Sequence, residues 1–259
     1  VEHMSGRRGD YGIDAPGVVR NLSILGAGFL LIAVVALLVS PDHMRWLGVG
    51  VAVVFLLAFL TVTAEALYMV WSSKVGKLRE RERLLDLVAL RGDEKVLDVG
   101  CGRGLVLNAA ARRLTTGRAL GLDIWSTRDQ SGNSPAVTWA NARAEGVADR
   151  VDVVDGDARS LPFDDNDFDV VVSSLALHNI PSAAERSQAL REILRVLRPG
   201  GRFAILDFQH LREYADALLR LGASEVRMVG PHWQMFPPVR IVTGRKPLGD
   251  GASEAGSAA

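Results

Sequence analysis

The sequence predicts an α/β fold: a doubly wound, mostly parallel seven-stranded sheet preceded by a transmembrane α-helical hairpin. Three observations predict it. Two long uncharged apolar runs, 21–40 and 46–64, stand near the start. From Lys95 onward, short β-branched runs alternate with helical patterns. The first such run passes into a glycine-rich turn, Asp98-x-Gly100-x-Gly102-x-Gly104, and then directly into a helical pattern.

The run 21–40 rises roughly 30 Å as a helix, enough to cross the hydrocarbon core of a bilayer. The second uncharged run resumes after Glu65 as far as Trp71, so spans of 21–40 and 46–71 are expected, joined by a short polar turn at 41–45. A cleaved signal peptide fits poorly, because the first run is too long, lacks a small-residue cleavage site and is followed by a second span. Arg7, Arg8 and Arg20 precede the first span, and Lys74, Lys77, Arg79, Arg81 and Arg83 follow the second, whereas the turn offers only Arg45. The positive-inside bias therefore predicts an integral protein of the cytoplasmic membrane, with both termini and the following domain cytoplasmic. Trp46 and Trp71 bracket the second span as an aromatic belt would. Gly26, Gly28, Ala33, Ala36, Gly48 and Gly50 would allow close helix contact within the hairpin or in a homodimer. Glu65 reads either as an interfacial residue on a tilted helix or as a polar group facing a substrate cavity.

Residues 74–90 form a strongly helical juxtamembrane segment, stopped by Gly92. The alternating charges from Arg79 to Arg83 read as a solvated face or a contact with anionic headgroups. Residues 91–247 carry the alternation. Strands are expected at 95–99, 118–123, 150–155, 169–173, 201–208, 225–229 and 239–244, with helices from Leu105, from Pro135, from Ala183 and over 211–221. Such alternation implies helices on both faces and a ligand site at the carboxyl ends of the strands. Residues 1–17 read as a flexible tail, with 1–3 ahead of Met4 an expression remnant; 248–259 lack periodicity and read as a disordered tail.

Thirty basic and thirty acidic residues balance across the 259 positions, so nothing points to nucleic acid or to a strongly charged partner. A single cysteine, Cys101, excludes an internal disulfide framework, fits a reducing compartment, and in its glycine turn reads as a space-filler. No metal site is expected.

The turn itself narrows the ligand. A dinucleotide fingerprint beginning at Gly100 needs its third glycine at position 105, which is Leu, and the Lys-Ser/Thr of a phosphate-binding loop is absent. An acid on the strand just before the turn would repel a pyrophosphate. It suits a ligand carrying an ammonium group.

At this point the sequence resembles the class I S-adenosylmethionine-dependent methyltransferases. The stretch from Val96 to Gly104 looks like the family's first motif; the resemblance implies that Asp98 lies near the methionine amino end, with Gly100, Cys101, Gly102 and Gly104 on the cofactor loop. Gly121-Leu122-Asp123-Ile124 resembles the end of the second strand, where Asp123 would accept from both ribose hydroxyls and Ile124 would pack on the adenine. The run from Gly156 to Phe163 is similar to the adenine loop, with Asp157 accepting from the exocyclic amine and the Ala158 N–H facing the ring. The run from Phe168 to His178 resembles the fourth strand and its active-site edge, including Ser174. The run from Leu194 to Phe203 resembles the turn into the fifth strand, where two glycines release the helix. Arg103 departs from the small residue or Thr often found there and is expected to point outward.

The resemblance implies S-adenosylmethionine as the cofactor. His178 is the candidate at the chemistry, either as a general base or as a group that positions substrate. The polar segment 125–134 reads as a lid or an ordinary loop. His232, Trp233 and Phe236, in the run 230–238 between the last two strands, read as a substrate mouth, a membrane contact or an ordinary loop. The expected whole is a membrane-anchored methyltransferase acting on a small hydrophobic or lipid-like substrate. A non-catalytic membrane-tethered cofactor sensor or scaffold, and a methyltransferase of membrane-protein side chains, are the alternatives.

Overall fold

The computed structural model describes residues 9–126 and 133–248. The tail 249–259, the first eight residues and positions 127–132 of the expected lid lie outside the described residues. The chain divides into two compact units, one of residues 12–77 and one of residues 1–11 with everything from Leu78 onward.

The smaller unit is a helical hairpin: α1 (Pro16–Val39) and α2 (Arg45–Trp71), joined by one 3-10 turn, Asp42–Met44. Both helices are long and apolar enough to cross a membrane, with mean hydropathies of 2.8 and 2.5 in their most apolar windows. Their apolar side chains face outward rather than into a core: Leu38 is 79% exposed and Val54 63%. Of the small residues noted above, Gly26 and Gly48 meet the opposite helix or the turn closely, Cβ positions there falling 3.4 Å from Thr63 Oγ1 and 1.9 Å from Ser40 Oγ. Gly28 and Gly50 face open space. After Trp71 the helix widens into a π-helical turn, Ser72–Gly76, and continues as α3 (Lys77–Val88). Lys77 there is buried, its Nζ 3.0 Å from both Asp14 Oδ1 and the Gly12 carbonyl.

The larger unit is a seven-stranded sheet of β1 (Lys95–Val99), β2 (Arg118–Asp123), β3 (Val151–Asp155), β4 (Phe168–Ser174), β5 (Leu197–Asp207), β6 (Ser224–His232) and β7 (Val239–Arg245). Its order is β3-β2-β1-β4-β5-β7-β6, with β7 antiparallel to both neighbours and the other neighbouring strands parallel. The order reverses between β1 and β4, which places the ligand crevice beyond the ends of those two strands. The helices α4 (Leu105–Arg113) and α5 (Pro135–Ala144) contribute to one apolar cluster, while α6 (Ala183–Val196) and α7 (Leu211–Arg220) contribute to the other.

Four features depart from the sequence reading. The helix expected over 74–90 belongs to the larger unit from Leu78 on, because Leu84, Leu85 and Val88 are fully buried in the sheet's first cluster. Its charges are only in part a solvated face: Arg79 is exposed, but Glu80 is 1% and Arg81 8% exposed, since Glu80 is held by Arg83 at 2.6 Å and Arg81 lies over the Tyr11 ring. The helix stops at Ala89, which adopts a left-handed φ of 48°, ahead of Gly92; Glu94 then accepts the N–H groups of Arg91 and Gly92. Likewise α6 ends at Val196 before Pro199, and Gly200 and Gly201 lie inside β5 at a register shift.

Candidate active site

The strand ends of β1, β2, β4 and β5 deliver Asp98, Asp123, Ser174 and Asp207 to one edge of the sheet. The glycine turn is folded there by its own backbone. Gly100 and Cys101 both donate to the Leu122 carbonyl, at 2.7 and 3.1 Å, and Gly104 donates to the Cys101 carbonyl at 2.8 Å. Gly100, Gly102 and Gly104 all have positive φ, a conformation a side chain resists. A Cβ on Gly100 would lie 2.2 Å from that of Ala176, in the loop leading to His178. Gly100→Ala is therefore expected to weaken cofactor binding at least tenfold and to lower the thermal midpoint, by about 1–3 kcal/mol of strain and overpacking. Titration of cofactor binding beside thermal unfolding checks both.

Asp98 is 1% exposed, and its Oδ1 is buried without a hydrogen-bond partner among the described residues. Burial pushes its carboxyl up to about 7, and the charge of Asp123 pushes in the same direction, against a hydrogen bond from the Leu107 backbone. Cys101 stands beside both acids, and burial with those charges holds its thiol well above the ordinary range. It is inert packing against Gly121, where a Cβ would meet its Sγ at 2.7 Å.

Asp123 is 8% exposed and accepts from the Gly102 N–H at 2.8 Å, the Trp125 N–H at 2.7 Å and Asn133 Nδ2 at 3.2 Å. The carboxylate thus ties the glycine turn to the start of the next loop, which the sequence does not indicate. Ile124 is 63% exposed, and the Trp125 indole donates to Asp155. Asp157 and Ala158 lie in the loop after β3. There the Arg159 guanidinium grips both Asp157 oxygens, at 2.6 to 3.0 Å, and holds that carboxyl below its ordinary range. Asp157 is therefore already paired with a cation in this structure.

Arg103 does not point outward. Its guanidinium meets Asp10 at 3.2 Å, and its side chain is 17% exposed. Residues 10 and 11, expected to belong to a flexible tail, lie against the turn's supports. Asp10 exchanges hydrogen bonds with Asn141, at 2.9 and 3.0 Å, and Asn141 also donates to the Arg103 carbonyl. The Tyr11 hydroxyl donates to Glu145 and accepts from Asn108. Burial and the Glu145 bond together raise the Tyr11 phenol above its ordinary range.

His178 sits on a 3-10 turn, Leu177–Asn179, after β4. Its backbone N–H donates to Asp207 Oδ2 at 3.1 Å, and its Nδ1 lies 2.8 Å from Asp207 Oδ1. Asp207 is fully buried and accepts the Phe208 N–H as well, while the Phe208 ring lies 4.6 Å from the imidazole. Asp207 was not singled out in the sequence. The only signal was positional, an acid at the end of a strand as at Asp123.

The Methyltransferase domain family profile matches residues 97–205. The ubiquinone/menaquinone biosynthesis C-methyltransferase UbiE of Roseobacter denitrificans is 38% identical over 131 residues, 51% of this chain and 49% of that protein. The 27-O-demethylrifamycin SV methyltransferase of Amycolatopsis mediterranei is 36% identical over 167 residues, 62% of this chain and 56% of that protein. The chain spans about half the length of the curated relatives it matches. Among solved structures, a S-adenosylmethionine-dependent methyltransferase from Aquifex aeolicus shares the fold at a TM-score of 0.52 and 21% identity, covering 65% of this chain and 90% of that one. The [4+2]-cyclase SpnF does so at 0.56 and 23%, covering 66% and 82%.

The residues present fit the cofactor of that family. An orphaned, buried carboxylate oxygen on Asp98 is an acceptor for an ammonium group, and three glycines with positive φ bring bare backbone to the same strand end. Residues 97–205 of this chain thus match a methyltransferase domain, the larger unit has the class I methyltransferase fold, and its strand-end site fits S-adenosylmethionine as the cofactor.

Proposed function

We propose that this protein is a membrane-anchored methyltransferase that modifies a small hydrophobic ring compound of quinone type at the cytoplasmic membrane face. The observation that carries the enzymatic part is the pairing of Asp98, buried and short of a partner, with a histidine–aspartate couple one strand away. When bound, S-adenosylmethionine supplies an electrophilic methyl group. Asp98 would hold its ammonium end, the glycine turn its backbone-facing side, and Asp123 the ribose, exchanging the N–H partners it has now. Ile124, Asp157, Ala158 and Ser174 are assigned to the rest of the pocket, Asp157 while still gripped by Arg159.

His178 is assigned to the substrate. Asp207 stands at Nδ1, which leaves Nε2 as the nitrogen to accept a proton from a substrate hydroxyl or acidic ring carbon. The buried Asp207 carboxylate then stabilises the imidazolium.

Two supports favour a hydrophobic substrate. The relatives include the quinone-biosynthesis enzyme above and a 2-phytyl-1,4-beta-naphthoquinone methyltransferase of Arabidopsis thaliana, 36% identical over 121 residues. The hairpin helices also expose their apolar side chains, a surface that suits lipid. The fold alone does not decide activity, as a cyclase shares it.

Membranes containing the full chain, incubated with methyl-radiolabelled S-adenosylmethionine and separated into lipid extract and protein, test this reading. Label in the lipid extract is expected. Label in protein would point to side-chain methylation, and cofactor binding without any transfer to a sensor or scaffold.

A further inference from the structure

The run 230–238, Gly-Pro-His-Trp-Gln-Met-Phe-Pro-Pro, contains no Asp, Glu, Lys or Arg, and Arg227 and Arg240 flank it. Three prolines remove backbone N–H donors, so this segment costs less than most to take out of water. Two contacts place its tip. His232 Nδ1 lies 2.8 Å from Glu80 Oε2 in the first turns of α3, and Met235, 4% exposed, is packed in the cluster that holds Leu84, Leu85 and Val88. Because β7 runs antiparallel to β5, with Arg240 opposite Asp207, the tip stands at the same sheet edge as Asp207 and His178.

The chain enters this unit close to that edge in sequence: Glu80, which His232 meets, follows Trp71 by only nine residues. Trp233 is 69% exposed, the most exposed large apolar side chain of this unit among the described residues, and Ile124, at the end of β2, is 63% exposed. A tryptophan offers an apolar body with one polar N–H, the combination that settles at the level of lipid headgroups.

We propose that the β6–β7 tip is a second membrane contact: Trp233 enters the headgroup layer, with Arg240 toward anionic lipids, and turns the strand-end edge of the sheet to the bilayer. The inference rests on the membrane reading of the hairpin above. It gives a lipid-soluble substrate a short path from bilayer to His178.

The test uses the full chain in vesicles of phosphatidylethanolamine and phosphatidylglycerol that contain a headgroup-nitroxide lipid. A fluorophore is attached at Trp233→Cys, and separately at Asp164→Cys, an exposed position just before β4 at the opposite edge. Cys101 is buried and leaves the introduced thiol as the reactive one. Retained S-adenosylmethionine binding verifies that each variant is folded. Several-fold quenching at position 233 and little at 164 is expected. Equal quenching at the two positions, in protein that floats with the vesicles, would overturn the second contact alone. Protein that does not float overturns the membrane reading and this inference with it.

Discussion

Asp98→Asn is expected to melt at a higher temperature than the parent protein at pH 8 while losing S-adenosylmethionine binding. The carboxyl is raised from 3.8 to about 7 mainly by burial. A raised value means that the fold favours the neutral acid. This contribution to stability is fully present below pH 4 and is lost as pH rises through about 7. Above that, holding the charge in the ligand-free domain costs on the order of 2–4 kcal/mol. The amide keeps an acceptor for the Leu107 N–H and carries no charge, so it escapes that cost. For a domain of this size the midpoint should rise by about 5–10 °C at pH 8 and by almost nothing at pH 4. Binding moves the other way. Without a charge-assisted bond to the ammonium group, affinity should fall roughly 100-fold. In the parent protein, affinity should itself weaken below pH 7 as free Asp98 takes up a proton. Calorimetry at pH 6 and 8, with unfolding scans, reads both effects; an asparagine variant that binds normally would remove Asp98 from the cofactor site.

His178→Ala should lower kcat by roughly 10²–10⁴-fold, the usual worth of a positioned proton acceptor. It should leave cofactor affinity nearly unchanged, because none of the contacts that shape the glycine turn involves its side chain. The split between kcat and cofactor Kd separates it from a folding defect. His178→Gln distinguishes base from positioning group: a polar side chain of similar reach restores much of the rate only if the histidine merely orients substrate. Asp207→Asn has a second cost. Asp207 accepts two backbone N–H groups, and an amide nitrogen turned toward either leaves a buried donor unpaired, worth about 1–3 kcal/mol. Its kinetic effect is therefore to be read only after the thermal midpoint is known.

Much of this architecture is legible because it is written in local pattern. Seven strands, the helices between them and the two apolar helices follow from periodicity and from runs without charge, which act over a few residues. The glycine turn is legible for the same reason: positive φ at three alternate positions needs glycine, whatever surrounds it. The failed third glycine at Leu105 and the acid at Asp98 narrow the ligand without any coordinates.

What the tertiary structure decided are the pairings between residues far apart in the chain. Asp207 meets His178 because β4 and β5 are parallel neighbours with ends in register, Ser174 opposite Leu206. Asp10 and Tyr11 read as tail residues, having no periodicity, yet they are pinned by Arg103, Asn141 and Glu145. The charges of α3 follow a solvent pattern, but Glu80 is enclosed by a hairpin some 150 residues later. Local sequence sets backbone conformation and which faces are apolar. Which carboxylate is desolvated, and which cation or imidazole stands beside it, depends on through-space distances that only the packed sheet brings into being.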